Sequence, residues 1–278
     1  MNSLHNLVRR YELVIALTLI LIVNALFVGA IHSHIIPHKF YYFGRFLLLG
    51  GTLGTVVLIG SGFSGIFELL KPMLRWRIAP WWYLLAFTWA ATMCVIVLIG
   101  KIAFTGAPVS ILKPDLSVVA IPAVAVTIFV GSFVGEIVWV SYAIRKLSAR
   151  FTPFIGSQIV GTVWTLWWMP MVLLNVGVFP DLPPVALLVS MLGIAAMCSF
   201  VYHHTKSGIA VLILQMMVNS SSVIFPVIPH TGGVGTFVAY GIVYCSAVLL
   251  LYLRFGPKPL FKSSTAAEPE ITLAEQAQ

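Results

Sequence analysis

The stretch "FVGEIVWVSYAIRKL" (133–147) places a carboxylate, Glu136, deep in an apolar run. The other acidic residues are Glu12, Glu68, Asp115, Asp181, Glu268, Glu270 and Glu275, and none lies as far inside one. At helical rise Glu136 is about 12 Å from Ile144, where the run ends. A charge in a bilayer core costs about 3 kcal/mol or more unless it is paired, hydrated or protonated. Glu136 must therefore face other protein, which marks a functional or formerly functional position; the plainer alternative is a hydrogen bond to a Ser, Tyr or Trp of a neighbouring helix. Gln215 and Asn219 share one helix face by their i, i+4 spacing, and ordinary interhelical hydrogen bonding accounts for them equally well. Trp164 and Trp168, in "VWTLWWMP", share a face in the same way, and aromatic packing is the simpler account. His32, His34 and His38, in "HSHIIPH", can hold a metal only if the loop converges them; exposed imidazoles are the simpler expectation. His203 and His204 end an apolar run beside Lys206, at headgroup level. No HExxH, GxSxG, P-loop or GxGxxG pattern is present, so the common soluble-enzyme sites lack support.

These residues need a scaffold, and composition names it. The chain has 278 residues, 60% of them hydrophobic and 9% charged, with a mean hydropathy of +1.02. Soluble domains carry about 25% charged residues. This chain cannot cover a water-facing surface, and the expectation is an all-α, polytopic membrane protein with the lipid bilayer as its main partner. The net charge of +8 fits basic cytoplasmic loops better than nucleic acid, so no nucleic-acid partner is expected. Cys94, Cys198 and Cys245 all sit in apolar runs and act as small hydrophobes, not as a disulfide or zinc framework.

A helix needs about 20 apolar residues to cross a bilayer. Eight runs qualify: Leu13–Ile31, Phe46–Phe67, Trp81–Gly100, Leu116–Ile144, Ile155–Val178, Leu182–Val201, Ile209–Ile228 and Val234–Leu253. The second is interrupted by glycines. The fourth is overlong and contains Pro122, which predicts a tilt, a kink or an interfacial part. The first follows Arg9 and Arg10 but is too long for a signal peptide, and no small-residue cleavage site follows it. One transmembrane domain, 1–255, is expected, followed by a polar tail at 256–278 whose composition favours disorder.

With the N-terminus inside, Arg9, Arg10, Lys71, Arg75, Arg77, Arg145, Lys146, Arg150, Lys206, Arg254, Lys258 and Lys262 fall on the inner side. Lys39, Arg45, Lys101 and Lys113 fall outside or at adjoining helix ends. This asymmetry predicts a multi-pass protein of the cell membrane with both termini cytoplasmic.

In order along the chain, these segments resemble the CPBP/Abi family of intramembrane metalloproteases, the CAAX-prenyl-protease and bacteriocin-processing type. The likeness covers about residues 61–225. "SGFSGIFELLKPMLRWRIAPWWYLLAF" is similar to the family's segment before its third helix. "GEIVWVSYAIRKLSARFTPFIGSQIVGTVWTLWWMP" is similar to its core, where an EExxxR motif precedes an FxxxH helix. "TKSGIAVLILQMMVNSSS" is similar to the helix carrying HxxxN. The resemblance implies glutamates that activate water, histidines that hold zinc, and a cavity open to the cytoplasmic side for the end of a membrane-anchored or prenylated peptide. This chain departs from each motif. Gly135 replaces the first glutamate and Val140 the arginine. Trp164 stands for Phe, Trp168 for a ligand histidine and Gln215 for another; Glu136 and Asn219 remain. An indole offers only an N–H donor and an amide oxygen is a poor zinc ligand.

The leading expectation is a pseudoprotease with no cofactor, which binds a membrane-anchored or lipidated peptide, or a partner, in the former cavity. Gly135, Val140, Trp164, Trp168, Gln215 and Asn219 would line that cavity, with Glu136 vestigial or residual. An active endopeptidase with an altered site is the first alternative, and zinc is expected only there. The second is a proton-coupled carrier titrating at Glu136.

Overall fold

A computed structural model describes residues 2–177 and 182–256. Val178, Asp181 and the tail from 257 onward lie outside the described residues. Among those described there are eight helices long and apolar enough to cross a membrane: α1 Asn2–His32, α2 Tyr41–Leu70, α3 Pro80–Thr105, α4 Pro122–Leu147, α5 Pro153–Leu174, α6 Pro184–Thr205, α7 Gly208–Ile224 and α8 Val234–Phe255. The protein is therefore all-α and polytopic, with the helices expected from the apolar runs.

The ends of these helices follow local chemistry. Pro80, Pro122, Pro153 and Pro184 each open a helix, where a missing N–H costs nothing. Thr152 Oγ1 accepts from the Ile155 N–H and Ser207 Oγ from the Ala210 N–H, capping α5 and α7. Gly106, Asn175 and Lys206 take left-handed backbone angles that stop α3, α5 and α6.

The two irregularities expected in the apolar runs take definite forms. Apolar residues 116–121 do not belong to α4. Pro122 holds Ile121 extended (φ −71°, ψ 117°), so Ser117–Ala120 forms a separate turn. Asp115 anchors that turn: its N–H donates to the Ile224 carbonyl at the end of α7, and its carboxylate accepts from the N–H and Oγ of Ser117. Those Ser117 bonds hold the Asp115 carboxyl below its usual pKa. The glycine interruption of α2 takes the form of a break at Gly62, with φ 64° and ψ −163°, angles essentially reserved for glycine.

The helices bury an apolar core and also expose apolar side chains on their flanks, as lipid contact requires: Phe104, Phe63 and Leu47 are exposed, while a few polar side chains, Ser132, Glu136, Ser141 and Gln215 among them, are buried within the core. α4 is central and touches α2, α5, α6 and α7. α6 is the other core helix, packed between α5 and α8. The two ends of the core meet at α4, which carries the carboxylate.

Candidate functional site

α4 changes character at Glu136. Pro122–Gly135 is α-helical, Glu136–Ile144 is a π-helix, and Arg145–Leu147 completes the rod. A π-helix bonds i to i+5, so it stacks residues five apart. The consequence is direct: Ser141 Oγ donates to Glu136 Oε1 at 2.6 Å. An α-helical reading aligns Glu136 with Val140 instead, and so misses Ser141.

Glu136 is fully buried. α7 starts over it: a Cβ on Gly208 would lie 3.0 Å from Glu136 Oε1, with Met73 and the Pro72 backbone alongside. The amide end of α7 favours negative charge there. Glu136 Oε2 makes no hydrogen bond, which leaves the carboxylate only partly satisfied.

Beside Glu136 the motif positions meet. A Cβ on Gly135 would lie 2.8 Å from Gln215 Oε1, and Trp139 also borders that space. Asn219 Nδ2 donates to Ser132 Oγ at 3.0 Å. Gln215 and Asn219 therefore both face α4, as their spacing predicts. The expected cavity, however, is not open along these positions. Gly135, Glu136, Val140 and Gln215 are all buried, and the Gln215 amide fills the space beside Gly135 that a second glutamate would need.

Trp164 and Trp168 diverge despite their shared face. Trp164 stacks on Trp139 (centroids 5.5 Å apart), and both are half-buried or buried. Trp168 turns to Arg45, whose guanidinium lies 4.7 Å from its ring and 3.8 Å from that of Trp167. Trp167, which motif reasoning passes over, is the hub: it is buried against Phe46, Trp139 and Trp168, and its carbonyl accepts from Asn24 Nδ2 at 2.7 Å. Arg45 lies near the start of α2, the helix end where the basic pattern puts it, but it is buried, donating to Asn24 Oδ1 and Tyr41 Oη with Nη2 unbonded. A short polar side chain and two indole faces hold a cation where a hydropathy scan places a loop edge.

Glu136 is not the only buried carboxylate. Glu12, near the start of α1, is also buried, with Lys146 Nζ at 2.8 Å and Ser61 Oγ at 2.7 Å. Two bonded partners explain why it tolerates burial, which sequence position alone did not reveal.

The donor set does not fit zinc. Among the described residues no three His, Cys, Asp or Glu side chains are grouped to hold a metal. His32, His34 and His38 are all exposed, and His38 stacks on Tyr41 instead of joining the other two. His204 packs on Phe200 and Trp82. Where the family resemblance implies a ligand histidine, Trp168 faces a cation, and where it implies another, Gln215 packs on Gly135.

A comparison with protein families and with curated proteins finds no match for this chain.

Proposed function

We propose that the chain is a noncatalytic protein of the cell membrane, a pseudoprotease of the CAAX-processing type that holds a membrane-anchored peptide or partner instead of cleaving it. Its termini lie on the cytoplasmic side, in keeping with the basic residues that border the ends of α2, α4 and α6. The observation that carries the reading is the contact between Gln215 and Gly135 beside a lone, buried Glu136. Metal-assisted hydrolysis needs a Lewis acid and a base that share one water. Here one carboxylate is bonded to a serine and closed over by α7. Trp164 and Trp168, both partly exposed, are the part of the former site that a lipidated or transmembrane segment can reach.

The test is the metal content of detergent-purified protein after mild chelation, read by elemental mass spectrometry, together with incubation with a prenylated peptide. The expected result is no retained zinc and no cleavage. About one zinc per chain, with cleavage that disappears in Glu136→Gln, overturns the proposal.

A further inference from the structure

At the basic end of the bundle a half-open cleft of about 240 Å³ lies between α1, α2 and α4. It is distinct from the motif cluster and is lined in part by Glu12, Ser61, Glu68, Tyr142, Arg145 and Lys146. The break at Gly62 shapes one wall, because it swings the last two turns of α2, with Glu68, toward the end of α4.

The cleft carries both signs of charge, unevenly used. Glu12 is buried and spends its two oxygens on Lys146 and Ser61. Its role is to hold the Lys146 ammonium in place. Lys146 keeps the rest of its donors, and its side chain is 38% exposed. Arg145 donates one N–H to the Glu68 carbonyl at 2.8 Å and its side chain is 31% exposed, which leaves further N–H donors of the guanidinium for a ligand. Buried Tyr142 lies beside Glu12 but forms no well-aligned hydrogen bond, and its hydroxyl borders the same cleft. Beside Arg145, Glu68 presents a half-exposed carboxylate that contacts Lys71 at 3.0 Å and Arg145 more loosely at 3.9 Å.

We infer that this cleft binds a phosphate that carries a primary amine, the headgroup chemistry of an aminophospholipid. Arg145 and Lys146 take the phosphate oxygens, for which a guanidinium fork is suited. Glu68 takes the ammonium, which donates hydrogen bonds that a quaternary amine cannot. The volume admits a headgroup, and its place at the basic end puts it at the bilayer surface. This inference concerns a separate site and stands whether or not the chain has lost peptidase activity.

The experiment is native mass spectrometry of the full chain in detergent, titrated with phosphatidylethanolamine, phosphatidylcholine or phosphatidylglycerol. One phosphatidylethanolamine is expected to stay bound in preference to either other lipid. Arg145→Gln is expected to weaken that binding by about tenfold. Glu68→Gln is expected to remove the preference over phosphatidylcholine while phosphatidylglycerol still binds. Both positions are partly exposed, so both variants should melt close to the parent, and thermal unfolding checks this. Free phosphoethanolamine and inorganic phosphate are run as competitors. Displacement of the lipid by phosphoethanolamine supports the same headgroup chemistry with a soluble source; resistance to it supports a lipid held by its tails as well. Equal retention of all three lipids, or unchanged binding in Arg145→Gln, overturns the assignment.

Discussion

Gln215 Oε1 stands 2.8 Å from where a Cβ on Gly135 would be. The two positions exclude each other's larger side chains, so a change at one is felt at the other. Gly135→Glu adds a second buried carboxylate with no partner and collides with the amide. It should cost about 3–5 kcal/mol of stability. Gln215→Ala alone should cost about 1–2 kcal/mol. The double variant should cost clearly less than the two together, because removal of the amide opens space for the new side chain. A double-mutant cycle by thermal unfolding in detergent measures this, and simple additivity would refute the contact.

The bond from Ser141 to Glu136 depends on the π-helix and gives a second cycle. Ser141→Ala leaves Oε1 without its donor and should destabilise the parent by about 1–3 kcal/mol. In a Glu136→Ala background the same change should cost under about 1 kcal/mol. Equal costs in both backgrounds would mean that α4 is regular at this point and that the two side chains do not meet.

How far the sequence foretells this site depends on which regularity each part obeys. The helices were legible because apolar length alone decides what crosses a bilayer. Gln215 and Asn219 were placed on one face because α7 keeps the α-helical period at those residues. Ser141 was hidden because α4 abandons that period at Glu136. The burial of Arg45 is not legible in the sequence because the indole it stacks on, Trp167, comes from a helix far along the chain. Apolarity alone joins Leu116–Ile121 to the span, and Pro122 is the one residue in the sequence that signals their separation, through the backbone rule for the residue before proline.

Arg45 yields a prediction that runs against chemical similarity. Its guanidinium is shared between Asn24, Tyr41 and two indole faces. Lysine keeps the charge but cannot reproduce the fork or the stacking. Arg45→Lys should therefore cost about 3 kcal/mol, and Arg45→Met, which leaves no buried charge, should cost less. Unfolding of the two variants side by side decides it; a better-tolerated lysine would show that charge, not the cage, is what the site requires.

The Glu12 and Lys146 pair should respond differently to single and to paired changes. Glu12 is buried but Lys146 is 38% exposed, so solvent screens part of the interaction. Glu12→Gln or Lys146→Met alone should cost about 1–2 kcal/mol, and the two together should recover most of that loss. Thermal unfolding of the single and double variants reads the recovery.

Finally, the break at Gly62 fixes how the protein fits its bilayer. Unbroken, the thirty residues of α2 would form a rod of about 45 Å, far longer than the ~30 Å hydrocarbon layer. The rod from Tyr41 to Ser61 is about 32 Å, close to that thickness. The turns beyond the kink, with Phe63 and Phe67 exposed, are then not needed to cross that layer, so a bend at the glycine would let the chain match membrane thickness without tilting the whole bundle.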